Sequence, residues 1–392
     1  MRVLNVDAVR GFALFGIFAV NVTFMASGYP GNLVTDPAFD SAVDHAVRML
    51  SSVLIDMKFY VLFSFLFGYS FTLQMGAAFP ARTLRRLGGL FALGALHTVF
   101  LYGGDILTTY AIAGLALFFL RNVRDRTAIR IALALYAVVL LSMIASGLLV
   151  DRSAFLPSEA EALANGAAAT QALLGGWSAN IGEHLAGLPL LILQAVTLQG
   201  PTALALFLLG MVAGRRQWLS GVRGDEPVLR RIQAIGFPVG LLGGIVYAAS
   251  GGNGNTLAVA ASVATAPLLA AAYVATLLRM AVVREPLAPA GRMALTNYLG
   301  QSVIGLIVFT GIGFGLAGEF SPLGLFGFVL VVFGGQLVVS ALWMRRFRYG
   351  PMEWVLRWVT YGRRPALLLL TREPAAAGAP DHGSTTGSGP PR

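Results

Sequence analysis

Apolar residues run along the chain in blocks of about 20, the length a helix needs to cross roughly 30 Å of hydrocarbon, and short arginine-bearing segments separate the blocks. The pattern predicts spans near 9–28, 51–76, 87–103, 106–121, 129–149, 186–213, 232–250, 256–280, 294–315 and 323–343. The expected fold is therefore all-α: a polytopic integral membrane helical bundle of about ten transmembrane helices, forming a single domain over residues 1–371. The glycine-rich stretch 232–280 fits either two regular spans or a less regular pair. Two connections are long. One is 29–50, with an interfacial helix expected around 38–49; the other is 150–185, Ala-rich with Glu159, Glu161 and Glu183. They either cover a site or lie as amphipathic connectors on the bilayer surface. Segment 345–364 interleaves arginine with Tyr349, Trp354, Trp358 and Tyr361, as a helix at the membrane interface does. Residues 373–392, rich in Pro, Gly, Ala, Ser and Thr, are expected to be a disordered tail.

Composition supports the bilayer as solvent: 56% of the 392 residues are hydrophobic and 12% charged, with a mean hydropathy of +0.73, well outside the soluble range. The absence of cysteine excludes disulfides, iron–sulfur clusters and thiol catalysis, and the four scattered histidines lack the spacing of a zinc site. A net charge of +10 could point to nucleic acid, but the arginines collect between apolar runs and read as topology signals. With the N-terminus inside, the even-numbered connections hold Arg82, Arg85 and Arg86; Arg121, Arg124, Arg126 and Arg130; Arg215, Arg216, Arg223, Arg230 and Arg231; and Arg279, Arg284 and Arg292. The opposite connections hold Arg48 and Arg152. Both termini, the tail included, are expected on the cytoplasmic side, and the first span is expected to be retained as a helix. A single lysine, Lys58, among 28 basic residues hints at a GC-rich coding sequence, hence a bacterium and its inner (plasma) membrane.

A charge inside a span costs roughly 2.5–3.5 kcal/mol, so each needs a partner, a cavity or a task. Asp7 and Arg10 stand i, i+3 on the first span, and Asn21 lies on the same face beyond them; the pair is either part of a polar stripe or an interfacial ion pair fixing the start of the span. Lys58, just after Asp56, faces a cavity or snorkels outward. His97 is followed by Asp105 in the hairpin to the next span. A carboxylate on one ring nitrogen fixes the tautomer and suits proton transfer, whereas a lone membrane histidine can simply bond a neighbouring helix. Lys58, His97 and Asp105 are expected to share one outward cavity. GRMALTNYLGQS clusters Thr296, Asn297, Tyr298, Gln301 and Ser302; Asn297 and Gln301, i, i+4, either bind a polar ligand from the cytoplasm or hold helices together.

Five ordered blocks, RVLNVDAVRGFALFGIFAVN, KFYVLFSFLFGYSF, RRLGGLFALGALHTVFLYGGDILTTYAIAGL, GRMALTNYLGQS and RFRYGPMEWVLRWVTYG, span residues 2–362. Together they resemble the YeiB-like membrane proteins, whose C-terminal half, here about 215–365, is domain of unknown function 418; the VDAVRG block lies in 2–28. Through that block the chain is also similar to a wider superfamily of transmembrane acyltransferases that includes the lysosomal heparan-glucosaminide acetyltransferase. The resemblance implies movement of an acyl group from cytoplasmic acyl-CoA to an acceptor on the far side, with Arg10 and Asn21 on the matching arginine and asparagine. The acetyltransferase has a histidine soon after that asparagine. VTFMASGYPGN has none, so His97 would take its place.

The leading expectation is thus an acyl-CoA-dependent acyltransferase with a hydroxyl or amine acceptor, a small molecule or a lipid-linked glycan. His97 is the expected base, Asp105 its orienting group, and Asn21 or Lys58 the oxyanion donor; Asp7, Arg10, Asn297 and Gln301 are the expected substrate-binding residues. No Gly-x-Ser-x-Gly elbow is present, so direct attack by the acceptor is expected rather than a serine acyl-enzyme. Acyl-CoA would be a substrate; no resident cofactor, metal or nucleic-acid partner is expected beside the lipid bilayer. A transporter using the same His, Lys and Asp is the rival, and a non-catalytic membrane scaffold the third class.

Overall fold

The computed structural model describes residues 4–74, 79–151, 156–219 and 226–368, and the tail expected over 373–392 lies outside them. The described chain is all-helical: α1 Leu4–Ala26, α2 Ala42–Leu54, α3 Lys58–Thr72, α4 Phe79–Phe100, α5 Leu107–Phe119, α6 Asp125–Leu149, α7 Glu159–Leu173, α8 Trp177–Ala186, α9 Leu188–Gln194, α10 Gly200–Arg215, α11 Glu226–Ala249, α12 Thr256–Arg279, α13 Ala281–Arg292, α14 Ala294–Phe309, α15 Pro322–Arg346 and α16 Pro351–Tyr361. Seven stretches are long and apolar enough to cross a membrane: α1, α2 with α3, α6, α9 with α10, α11, α12 and α15. The other three expected spans fall on α4, α5 and α14 and do not meet that standard. At 13 and 16 residues, α5 and α14 reach only about 20 and 24 Å, and the first half of α4 carries Arg82, Arg85 and Arg86.

Three elements depart from the expected outline. The helix expected at 38–49 starts later, at Ala42, where Ser41 and Asp44 form a reciprocal capping box, and runs on to Leu54. The expected span 51–76 is broken at Met57, whose φ of 68° is left-handed. The break frees carbonyls at the end of α2, and the Lys58 ammonium takes one, donating to the Ser52 carbonyl at 2.9 Å. The expected span 186–213 carries a π-turn over Ala195–Gln199 just before Pro201; the Tyr60 hydroxyl donates to the Gln199 carbonyl there.

The glycine-rich pair 232–280 resolves into two regular helices. A Cβ on Gly236 would overlap the Leu268 carbonyl, and one on Gly240 would overlap the side chain of Leu269, so these glycines let α11 and α12 close to backbone distance. At one end of the bundle the loops are arginine-rich and tied by ion pairs: Arg215 and Arg216 each meet Asp125 at 3.0 Å, and Glu226 meets Arg279 at 2.7 Å. At the other end α7 and α8 form a cover. The Thr170 hydroxyl accepts from the Gly28 N–H at 3.0 Å, the Leu173 carbonyl accepts from Gly311 N–H at 3.0 Å, and His184 Nδ1 donates to the Val99 carbonyl at 3.1 Å. Burial holds the His184 imidazole below its usual pKa, against the pull of its bond to the Val99 carbonyl.

Helix α16 lies across the arginine-rich end and fixes the start of α14. The Glu353 carboxylate accepts from the N–H groups of Leu295 and Thr296 at 2.7 and 3.1 Å and from the Thr296 hydroxyl at 2.6 Å. Burial pushes this carboxyl above its usual pKa, against the pull of the Thr296 and Leu295 bonds. Glu353→Ala, which strips three donors of their acceptor, is expected to cost about 2–4 kcal/mol in detergent-solubilised protein, read by thermal unfolding. A raised folded pKa means this group's contribution is greatest at low pH and declines as pH climbs from the ordinary carboxylate range through the folded value. Glu353→Gln is expected to flatten that decline.

Candidate functional site

The hairpin between α4 and α5 brings two expected site residues together. His97 Nδ1 and Asp105 Oδ1 are 3.0 Å apart, with both side chains fully shielded from solvent. The other Asp105 oxygen accepts from the Thr108 N–H at 2.9 Å and the Thr108 hydroxyl at 2.7 Å. Gly94 makes room for this carboxylate, since a Cβ there would come within 2.6 Å of Asp105 Oδ2. On its far side the imidazole meets a member of the GRMALTNYLGQS cluster that carries no expected site role: Ser302 Oγ on α14 is 2.8 Å from His97 Nε2. With Asp105 as acceptor at Nδ1, that nitrogen carries the proton, and Nε2 is left to accept from the serine hydroxyl. The three residues reproduce the hydroxyl–imidazole–carboxylate order of a nucleophile, its base and the group that orients the base. Tyr298 packs its ring 5.1 Å from the imidazole, and Tyr102 lies 6.2 Å away on another side.

Arg10 is the centre of a second group at the arginine-rich end. It bonds Asp7 at 3.0 Å, Ser70 Oγ on α3 at 2.7 Å and the Gly291 carbonyl at 3.4 Å. Here α1 and α13 touch backbone to backbone: a Cβ on Gly11 would overlap the Leu287 carbonyl, and one on Gly291 would overlap that of Asp7. The VDAVRG and GRMALTNY blocks thus meet through their glycines.

Lys58 belongs elsewhere. It is fully buried between α2 and α11, bonded to Ser52 and 5.9 Å from the Tyr247 ring. Asp56 beside it accepts from the Ser52 hydroxyl at 3.1 Å. No hydrogen bond or ion pair joins this group to His97 or Asp105 among the described residues. Asn297 and Gln301 form a ladder to α15: Asn297 Nδ2 donates to Ser340 Oγ at 3.0 Å, Gln301 Nε2 to Gln336 Oε1 at 2.9 Å, and Gln336 Nε2 to the Asn297 carbonyl at 3.0 Å. Asn21 is half-buried and has no hydrogen-bond partner among the described residues. Met25, one turn above it, packs where a Cβ on Gly305 would sit 2.6 Å from its sulfur, which puts Asn21 level with Gln301 on the parallel α14.

In the sequence Ser302 belongs to the GRMALTNYLGQS polar cluster with no expected site role, and Ser70 is not singled out, because their partners lie on other helices. A signal for Ser302 existed: it follows Gln301 and so faces about 100° away from the Asn297–Gln301 ladder, toward a different neighbour. Gly94 is legible only once α4 and α5 are seen to touch, whereas Thr108 meets Asp105 through a local i, i+3 contact.

Residues 213–363 match the family model described as a protein of unknown function, DUF418. The chain is 28% identical over 389 residues to the uncharacterized protein YxaH of Bacillus subtilis, across 92% of this chain and 94% of that protein. It is 30% identical over 392 residues to the uncharacterized protein YeiB of Escherichia coli, across 92% of this chain and 96% of that one. Likeness over nearly the whole of both proteins, together with the DUF418 match in the C-terminal part, means that the chain belongs to the YeiB-like DUF418 family of helical membrane proteins.

Proposed function

We propose that this protein is a bacterial plasma-membrane acyltransferase that moves an acyl group from cytoplasmic acyl-CoA to a hydroxyl or amine acceptor on the opposite side. In this reading α4, α5 and α14 cross with the seven longer spans to make ten, and the arginine-rich end and both termini are cytoplasmic. The observation that supports it is the Ser302–His97–Asp105 relay, with its 2.8 and 3.0 Å links. In place of the direct attack by the acceptor expected from the sequence, Ser302 Oγ attacks the thioester carbonyl and passes its proton to His97 Nε2. The C–S bond breaks, and the departing thiolate takes that proton. The acceptor then attacks the serine ester while His97 removes its proton, the ester C–O bond breaks, and Ser302 Oγ recovers the proton. Asn21, with its amide uncommitted, is the oxyanion donor in this scheme. Arg10, Asp7, Asn297 and Gln301 spend their polar groups on protein partners and brace the helices that carry the relay. Lys58 has no step.

The test is transfer of radiolabelled acetyl from acetyl-CoA to a host membrane extract by protein in liposomes. Label in an acceptor with wild type, and loss of that label with His97→Ala, is the expected result. No transfer by folded wild type removes the proposal. One observation favours transport as a second reading: the His97–Asp105 pair is wholly shielded, as a proton-relay pair is in an occluded carrier. Substrate flux across the same liposomes without covalent change would establish that reading instead.

A further inference from the structure

At the arginine-rich end, the segment after α16 folds back on itself. Gly362, at φ 67°, ends the helix in the left-handed region. The returning strand is then pinned by two bonds, from Trp354 Nε1 to the Pro365 carbonyl at 2.9 Å and from the Arg348 N–H to the Leu367 carbonyl at 2.8 Å. The fold-back borders an open pocket of about 370 Å³ lined by Tyr349, Arg357, Tyr361, Arg363, Arg364, Pro365 and Ala366. That volume is in the range of roughly 300–1,000 Å³ typical of small-molecule sites and exceeds the need of a lone inorganic ion.

Its charge is one-sided. Arg357, Arg363 and Arg364 have no carboxylate within ion-pair distance among the described residues. Between residues 345 and 364 there are six arginines and one acid, Glu353, and that acid is turned away to cap α14. Two of the guanidiniums are held in place by aromatic faces: Arg357 lies 4.4 Å over Tyr349 and Arg364 lies 5.1 Å over Trp354. Stacking of this kind fixes the plane of a guanidinium and leaves its N–H edge free for a bidentate acceptor.

We infer that this pocket is a binding site for a phosphate ester, with Arg357, Arg363 and Arg364 supplying paired N–H donors to the phosphate oxygens. The chemistry is shared by a soluble nucleotide-type phosphate and by the headgroup of an anionic lipid, and the inference does not depend on the acyl-transfer reading. The experiment uses the full-length protein in two arms. In neutral detergent, pyrophosphate and ADP are titrated by calorimetry; in nanodiscs of phosphatidylcholine with or without phosphatidylglycerol, retained lipid is counted by native mass spectrometry. Binding in the first arm identifies a soluble phosphate, and binding confined to the second identifies a lipid. The double variant Arg363→Gln/Arg364→Gln is expected to weaken whichever is bound by at least about tenfold, the scale of losing charge-assisted bonds. Arg346→Gln, which removes the same kind of exposed charge outside the pocket, is expected to change it less than about twofold. Thermal unfolding confirms that each variant is folded. Absence of binding in both arms, or an equal loss with Arg346→Gln, overturns the assignment.

Discussion

Asp105→Asn is expected to lower acyl transfer by about 10³–10⁴-fold, the scale that the same exchange costs in hydroxyl–imidazole–carboxylate enzymes. Asparagine is the same size and can still accept from the Thr108 N–H with its one oxygen, so the α4–α5 hairpin should hold. If that oxygen stays with Thr108, the amide NH2 faces His97 Nδ1, which must then accept a hydrogen bond. The ring proton moves to Nε2, and His97 can no longer accept from Ser302 Oγ, now 2.8 Å away. Initial rates in liposomes measure the effect, with thermal unfolding as the control for assembly. Because the three residues act as one unit, Ser302→Ala combined with Asp105→Asn should be little worse than the worse single change. Additive losses would mean that the residues work separately.

Gly291→Val is expected to cost about 3–5 kcal/mol, enough to prevent assembly of a marginally stable bundle. The reason is local and severe: even the first side-chain carbon would overlap the Asp7 carbonyl, which is backbone and has no rotamer to yield. Gly11→Val drives the same two helices apart from the other side, against the Leu287 carbonyl. Yield of monodisperse protein in mild detergent and its unfolding temperature measure both. An alanine at Gly94 would meet both the Asp105 carboxylate and the Thr108 backbone nitrogen at 2.6 Å, so it is expected to strain the α4–α5 hairpin and the relay together and to lower both assembly and transfer rate.

Much of this arrangement is legible in the sequence because it is local. Asp7 and Arg10 pair at 3.0 Å as their i, i+3 spacing requires. His97 and Asp105 meet because the hairpin between them is too short to carry the acid away from the helix end. The VDAVRG and GRMALTNY blocks keep their glycines where two backbones touch. What sequence could not supply is tertiary. Ser302 reaches His97 from 205 positions away. Lys58 reads as a charge inside a span that faces a cavity or snorkels outward, and the left-handed Met57 instead splits the expected span and gives its ammonium a helix end to cap. The ladder from Asn297 and Gln301 to α15 is likewise a set of contacts between helices that polarity alone does not place.

The same physics explains why some expected spans end as shorter helices. In α5 and α14 the apolar run continues past the helix, as in 310–315, where the chain turns instead of completing a helix. Ser302 sits on a short helix held at its start by Glu353 and just past its end by the Leu173 carbonyl of the α7–α8 cover, which accepts from the Gly311 N–H.

The most direct test of the relay is the mass of the protein itself after incubation with acetyl-CoA in the absence of acceptor, followed by peptide mapping. The chain has no cysteine, so a thioester adduct cannot confuse the result. The account predicts one acetyl ester on Ser302 in wild type, missing from Ser302→Ala and from His97→Ala, and discharged when acceptor is added. Transfer to acceptor at the wild-type rate by Ser302→Ala, with no acyl group ever found on the wild-type protein, would contradict it.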